Sequence, residues 1–389
     1  MDTRDPFSFV ARMQAELAAL QGRAQLRTLE TNTGINLCSN DYLGLTTDVR
    51  LKAAILDGVS SIRQMGATGS RLLSGNSREW EQLEEEFAQF AGTTDALYFS
   101  SGYLANIGLL SSLLEPDDWV FSDSLNHASI IDGIRLSRAR KVIYPHRDLK
   151  AVEDGLARYA HEAGCKLIIT ESVFSMDGDR APLKELLLLA RKYHAELVVD
   201  EAHATGVHGP QGRGLAAELG VADELLAIVH TCGKALASMG AFVCSGATLN
   251  RFLVNRARPF IFSTAMPPYF ALQIRAALRI TVGADSERAR LRETSDRLRS
   301  LLQGAGFNTG TSSSQIVPVI LGDNESALHF AAELKRSGFT ARAIRPPTVS
   351  PGSSRLRLSL TSKITAENVD RLAGTMLAAK GMRASPLHV

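Results

Sequence analysis

Between residues 96 and 244, short apolar, β-rich runs alternate with segments of helical periodicity, and this alternation restricts the fold more than any other feature of the chain. The β-rich runs fall at 96–100, 119–122, 141–144, 166–170, 197–199, 226–230 and 241–244. Most are separated by helix-like segments, such as those at 102–114, 128–136, 149–161 and 183–193. A strand, a helix and a second strand of the same direction form the repeating unit of such a pattern. The chain is therefore expected to adopt an α/β fold, with a central, mainly parallel, seven-stranded sheet covered on both faces. Ligands of such sheets bind beyond the carboxyl ends of the strands. The polar residues that follow these runs are where chemistry is expected.

The flanks read differently. Residues from about 6 to 29 show helical spacing of Phe9, Met13, Leu17 and Leu20. A short strand at 35–38 precedes the loop Ser39-Asn-Asp-Tyr-Leu-Gly-Leu45, and a Gly- and Ser-rich loop spans 66–75 before helical periodicity resumes at 79–90. Beyond about residue 285 come a charged helix at 286–302, an apolar run at 315–321, a helix near 325–337, the run Arg355-Leu-Arg-Leu-Ser-Leu-Thr361 and a last helix at 366–379. At 389 residues the chain exceeds the size at which one core stops growing. The expected division is an N-terminal segment 1–45, a large α/β domain 46–285 and a small C-terminal α+β domain 286–389.

Composition removes several classes of function. The net charge is +2, which leaves no general electrostatic footprint for nucleic acid. No apolar stretch approaches the ~20 residues of a membrane helix, and the first residues lack the apolar core of a signal peptide, so a cytoplasmic protein is expected. Cys38, Cys165, Cys232 and Cys244 are scattered without a Cys-x-x-Cys pair, as reduced thiols would be, and offer no metal template. Neither a Gly-x-Gly-x-x-Gly, a Walker phosphate loop nor a Gly-x-Ser-x-Gly elbow occurs.

Two strand ends carry the chemistry. The run Leu197-Val-Val-Asp200 ends in an acid followed by Glu201-Ala-His203, and 34 residues after Asp200 a second run ends in Thr231-Cys-Gly-Lys234. A lysine and an acid so placed fit pyridoxal phosphate (PLP), which needs an amine to hold its aldehyde and a carboxylate beside its ring nitrogen. Ser101-Gly102-Tyr103 lies where a strand turns into a helix, and exposed N–H groups there favour the cofactor's phosphate.

Eight runs in order resemble the α-oxoamine synthase family of fold-type I PLP enzymes. They are Ser39-Asn-Asp-Tyr-Leu-Gly-Leu, Ser101-Gly-Tyr-x-Ala-Asn106, Asn126-His-Ala-Ser129, Glu171-Ser-Val-Phe-Ser-Met-Asp-Gly-Asp179, Asp200-Glu-Ala-His-Ala-Thr-Gly206, Thr231-x-Gly-Lys234, Ser263-Thr-Ala-Met-Pro-Pro268 and Arg345-Pro-Pro-Thr-Val349. The likeness covers nearly the whole chain. Ala343-Ile-Arg-Pro-Pro-Thr-Val with Arg355-Leu-Arg-Leu-Ser-Leu is most like the member that condenses L-alanine with a pimeloyl thioester, carried by CoA or an acyl carrier protein. Sister synthases that use glycine or serine, and an aminotransferase on the same fold, stay open at this point.

The resemblance implies a role for each matched residue. Lys234 would hold the cofactor, Asp200 would pair with its ring nitrogen and His127 would stack on its face. His203 and Ser175 would contact its phenolic oxygen. Ser101, Gly102, Tyr103 and Thr231 would seat the phosphate, joined by Ser263 and Thr264 from the partner subunit of a homodimer with active sites at the interface. Asn40 and Arg357 are the choices for the amino-acid carboxylate, although Arg355 lies on the same strand face and spacing does not separate the two. Arg27 and Arg345 are assigned to the distal carboxylate of the acyl chain or to CoA phosphates. Arg71, in the Gly-rich loop, departs from some relatives and is expected to bear on the acyl pocket.

Overall fold

The computed structural model describes residues 8–384. Its strands are, in chain order, β1 (Ile35–Asn36), β2 (Asp95–Phe99), β3 (Trp119–Asp123), β4 (Arg140–Tyr144), β5 (Lys166–Glu171), β6 (Glu196–Asp200), β7 (Ala227–Thr231), β8 (Ala241–Ser245), β9 (Ile316–Gly322), β10 (Phe339–Thr340), β11 (Ala343–Ile344) and β12 (Ser354–Ser359). By its contacts the chain divides into two units, one of Met1–Ser39, Glu293–Leu360 and Ile364–Val389, the other of Asn40–Arg292 with Thr361–Lys363.

The larger unit holds the seven-stranded sheet, in the order β2-β8-β7-β6-β5-β3-β4. All neighbours are parallel except those of β8, which runs antiparallel to both β2 and β7. The reversal has a local cause: residues 232–240 between β7 and β8 are too few for the crossover that a parallel pair needs. Since β8 alone is reversed, β2, β3, β4, β5, β6 and β7 all end on the same side.

Helices cover both faces because each strand sends alternate side chains each way. Leu167, Ile169 and Val198 join one apolar cluster with Leu109 and Leu110 of α4 (Gly102–Leu113) and Ile130 and Ile134 of α5 (Ala128–Ser137). Ile168, Leu197 and Val199 face the other cluster, with Val152 and Leu156 of α6 (Leu149–Arg158) and Leu183 and Leu186 of α7 (Leu183–Lys192).

In the smaller unit, β9, β11 and β12 form an antiparallel sheet in the order β11-β12-β9. There β1 pairs parallel with β10, Ile35 opposite Phe339, which ties the start of the chain to its C-terminal part. The segment expected to stand apart as 1–45 is thus divided after Ser39, and the boundary expected at 285 falls after Arg292, inside the helix Asp285–Gly304. The N-terminal helix is shorter than its expected span: it runs Phe9–Gly22 and buries no side chain, and Ala24 with φ 53° breaks the run. Its expected start at Pro6 lies outside the described residues.

Candidate active site

A cavity of about 140 Å³ lies in the larger unit. Gly102 and Tyr103 reach it from the start of α4, His127 and Ser129 from the start of α5, Glu171 from the end of β5, Asp200 from the end of β6, and Thr231 and Lys234 from the end of β7. Asn106, Ala202 and His203 complete the wall. Seven residues picked out in the sequence thus meet in one place: Gly102, Tyr103, His127, Asp200, His203, Thr231 and Lys234.

A hydrogen-bond chain fixes the acid relative to the histidine. The Asn106 amide donates one N–H to Asp200 Oδ2 at 2.7 Å and the other to Ser129 Oγ at 2.9 Å. Ser129 Oγ lies 2.8 Å from His127 Nδ1, and the Ser129 backbone N–H donates to the same nitrogen at 3.2 Å. An N–H aimed at Nδ1 makes that atom the acceptor, so neutral His127 carries its proton on Nε2. Loss of water around the ring, reinforced by Lys234, lowers the His127 pKa against the pull of Asp200. The other carboxylate oxygen of Asp200 accepts the Ala202 N–H at 2.9 Å.

Glu171 is the least anticipated member of the wall. Register places it directly beside Asp200 on the neighbouring strand. It is 2% exposed, and burial, with the adjacent charge of Asp200, pushes its carboxyl up to about 8 despite Lys234 and N–H donors from His127 and Ser175. His203 is held from behind: Tyr42 Oη, fully buried, lies 2.6 Å from His203 Nδ1 and donates to Asn40 Oδ1 at 3.1 Å.

At the start of α4 the Ser101 hydroxyl caps the helix by accepting the Leu104 N–H at 3.1 Å. The preceding N–H groups of the first turn have no acceptor within the helix. A Cβ on Gly102 would lie 3.6 Å from Thr231 Oγ1, so the helix start and the end of β7 face each other closely. Tyr103 stands edge-on to His127 at 6.3 Å, and its hydroxyl donates to Asp132.

Other expected residues lie elsewhere. Ser175 is not part of the cavity lining, although its backbone N–H reaches Glu171. Ser263 and Thr264 line a separate cavity of about 30 Å³ with Arg71, Trp80 and Phe260. Arg27, Arg345 and Arg357 belong to the smaller unit. There Arg27 donates to Thr348 Oγ1 at 3.1 Å, and Arg345 donates to the carbonyls of Ala24 and Leu26. Burial and the neighbouring Arg27 charge lower the Arg345 pKa. Arg355 and Arg357 are both buried on β12, as their shared spacing requires. Arg71 forms a two-pronged pair with Glu84, at 3.0 and 2.8 Å, and donates to Asn76 Oδ1 at 2.7 Å. Its guanidinium is thereby held against α-helical Glu84 and the loop residue Asn76, at the wall of the cavity it shares with Ser263 and Thr264.

Tyr42, Asn106, Ser129 and Glu171 lie inside the matched motifs, and the sequence alone assigns them no role. Asn106 had a usable signal, an amide inside the otherwise apolar helix α4, since a buried amide requires partners. The cavity suits PLP on its own terms. It joins an amine to a hydrogen-bonded carboxylate, has helical N–H groups at one end, and carries buried polar atoms without a protein partner, Asn106 Oδ1 and Glu171 Oε1, in its wall. Among the described residues no group of three or more His, Cys, Asp or Glu side chains could hold a metal ion, and no helix is long and apolar enough to cross a membrane.

Fold and cavity together define a fold-type I enzyme that works with pyridoxal phosphate. Comparison with known proteins agrees: the family described as aminotransferase class I and II matches residues 32–376. The chain belongs to this family and, within it, to the α-oxoamine synthases. It is 44% identical over 376 residues to the 8-amino-7-oxononanoate synthase of Geobacter sulfurreducens, covering 93% of this chain and 96% of that one. A serine palmitoyltransferase from S. paucimobilis, with PLP and myriocin bound, superposes with a TM-score of 0.89 at 30% identity, over 97% of this chain and 99% of its own. The 8-amino-7-oxononanoate synthase of Francisella tularensis gives a TM-score of 0.78 at 29% identity, over 90% and 99%.

Proposed function

We propose that the chain condenses L-alanine with a pimeloyl thioester, of CoA or of an acyl carrier protein, to give 8-amino-7-oxononanoate, CO2 and the free thiol carrier in biotin synthesis. The observation that carries this reading is the 44% identity, over 93% of this chain, to a synthase of that name. Serine with a long acyl thioester is the second reading, favoured by the higher TM-score of the serine palmitoyltransferase. Backbone likeness at 30% identity reports the fold of the family more than the choice of substrate.

When bound, PLP supplies a sink for the electron pair left at the substrate Cα. The residues do the rest. The Lys234 amine would hold the cofactor and, as a free amine when alanine is bound, would take the Cα proton as general base. Asp200, held in place by the Asn106 and Ala202 donors, would pair with the protonated ring nitrogen. Neutral His127 would stack on the ring, and His203, backed by Tyr42, and Ser175 would contact its phenolic oxygen. Ser101, Gly102, Tyr103 and Thr231 would hold the phosphate, with Ser263 and Thr264 contributed from the second copy of a homodimer. Asn40 and Arg357 take the alanine carboxylate, and Arg27 and Arg345 the far end of the acyl substrate.

The alanine Cα forms a bond to the acyl carbonyl carbon as the carbon–sulfur bond breaks, and the departing thiolate takes a proton from solvent. The carboxylate then departs as CO2 with His203 as hydrogen-bond partner, and Lys234 returns a proton to Cα. The biotin-synthesis role named for its relatives supports reading the enzyme as cytoplasmic. Borohydride trapping followed by peptide mass mapping should locate the cofactor on Lys234, and Lys234→Ala should end multiple turnover. Cofactor trapped at another lysine, or sustained turnover by the variant, would overturn the assignment.

A further inference from the structure

The loops after β3 and β5 carry two buried carboxylates that the chemistry above does not use. The side chains of Asp123, the last residue of β3, and Asp179, in the loop after β5, are 1% and 2% exposed. A single imidazole stands between them. His146, just beyond β4, places Nδ1 2.9 Å from Asp123 Oδ1 and Nε2 2.9 Å from Asp179 Oδ2. It packs edge-on against Phe174 at 4.4 Å. A neutral imidazole has one N–H, so one of its nitrogens would set a lone pair against a carboxylate oxygen. Only the imidazolium, with an N–H on each side, satisfies both contacts. Arg147 supplies the second positive charge, donating to Asp179 Oδ2 at 3.1 Å, while its backbone N–H donates to Asp123 Oδ2 at 2.9 Å.

Both anchors lead to the cavity. Asp123 Oδ1 accepts the Leu125 N–H at 2.9 Å and its carbonyl accepts the Asn126 N–H at 3.1 Å, which shapes the turn that delivers His127. The Asp179 carbonyl accepts the Phe174 N–H at 3.0 Å, closing the turn that holds Ser175, whose own N–H reaches Glu171. We propose that His146, as an imidazolium, is a positioning residue for the cofactor cavity, fastening the loop that carries His127 to the loop that carries Ser175. The proposal rests on reading that cavity as the PLP site.

The groups facing the ring are Asp123 from β3, Asp179 from the loop after β5 and Arg147 from its own loop, with the buried Tyr144 phenol beyond Asp123. Partial burial alone would lower the imidazole pKa. The hydrogen bonds and charges of the two aspartates outweigh it and raise the pKa to about 9. The clamp is therefore closed at neutral pH and opens as pH rises through about 9.

The test has two arms. Nitrogen NMR of histidine-labelled wild-type protein should find both His146 ring nitrogens protonated at neutral pH and a titration near 9. In His146→Gln, the PLP dissociation constant at neutral pH should rise about tenfold, the worth of one charge-assisted hydrogen bond. Wild type should lose this advantage above about pH 9, where the two proteins converge. One unprotonated ring nitrogen at neutral pH overturns the proposal. So do equal dissociation constants across the whole range. A wild-type protein that binds no PLP at all contradicts the cavity reading instead, and the nitrogen spectrum then still decides the state of the clamp.

Discussion

Replacing Glu171 by Gln removes a titrating group while keeping its shape. The amide stands in for the neutral acid, with NH2 in place of OH and one oxygen left as acceptor. In the wild-type protein the native carboxyl is raised from its ordinary value of 4.5 to about 8, chiefly by burial. The sign follows from which state holds the proton. Below 4.5 the native and unfolded chains both hold it, and the stability associated with the neutral buried acid is fully present. Between 4.5 and about 8 the unfolded chain releases the proton while the native carboxyl keeps it, so stability falls as pH rises. At ~1.4 kcal/mol per pH unit the interval amounts to about 5 kcal/mol, lost in full above the native value. Glu201, pushed up to about 7, and His230, pushed down to about 3, titrate in both proteins and cancel in the difference. Urea unfolding of the cofactor-free proteins, followed by the fluorescence of buried Trp80 across a pH series, reads the effect. The two proteins should agree within ~1 kcal/mol at about pH 5, and Glu171→Gln should be the more stable by several kcal/mol at about pH 9. Parallel curves would show that Glu171 is not held neutral in the cavity wall, and the reasoning would fail.

Tyr42→Phe removes the hydroxyl 2.6 Å from His203 Nδ1 and should lower kcat about tenfold with cofactor content unchanged; steady-state kinetics on the cofactor-saturated variant check it, and unaltered kcat would separate Tyr42 from His203 function. Asn106→Ala takes a charge-assisted donor from buried Asp200, a loss of about 1.5–3 kcal/mol, and should weaken PLP binding roughly 10- to 100-fold by fluorescence titration while the circular dichroism of the fold persists. Arg71→Met strands the Glu84 carboxylate, whose pKa burial already raises, and should lower the thermal midpoint while the PLP dissociation constant stays the same.

The sheet was legible because each of its seven strands is a short apolar run closed by polar or small residues, and the observed strands begin and end within about two residues of those runs. Their order was not, since the neighbour of β2 is β8, nearly 150 positions away, and nothing local encodes that pairing. The same blindness set the N-terminal segment apart, when β1 pairs with β10 some 300 residues later. Helical spacing of apolar residues carried the first helix beyond Gly22, where no core rewards its continuation. At the site, Lys234 and Asp200 were visible as polar residues at or just past strand ends, and His127 and His203 through the motifs that resemble the α-oxoamine synthases. Glu171 occupies an equivalent place on β5, but its meaning comes from standing beside Asp200, which is a fact of register. Asn106, Ser129 and Tyr42 act through other side chains, and such a role appears only when the partner is in view.

Thiol release from a panel of acyl-CoAs and acyl carrier protein thioesters, crossed with alanine, glycine and serine, tests the central claim most directly. The account predicts thiol only from alanine with a pimeloyl thioester, with matching 8-amino-7-oxononanoate and CO2. Release from serine with a long acyl thioester, from glycine with acetyl-CoA, or amino transfer to a 2-oxo acid without any thiol would contradict it.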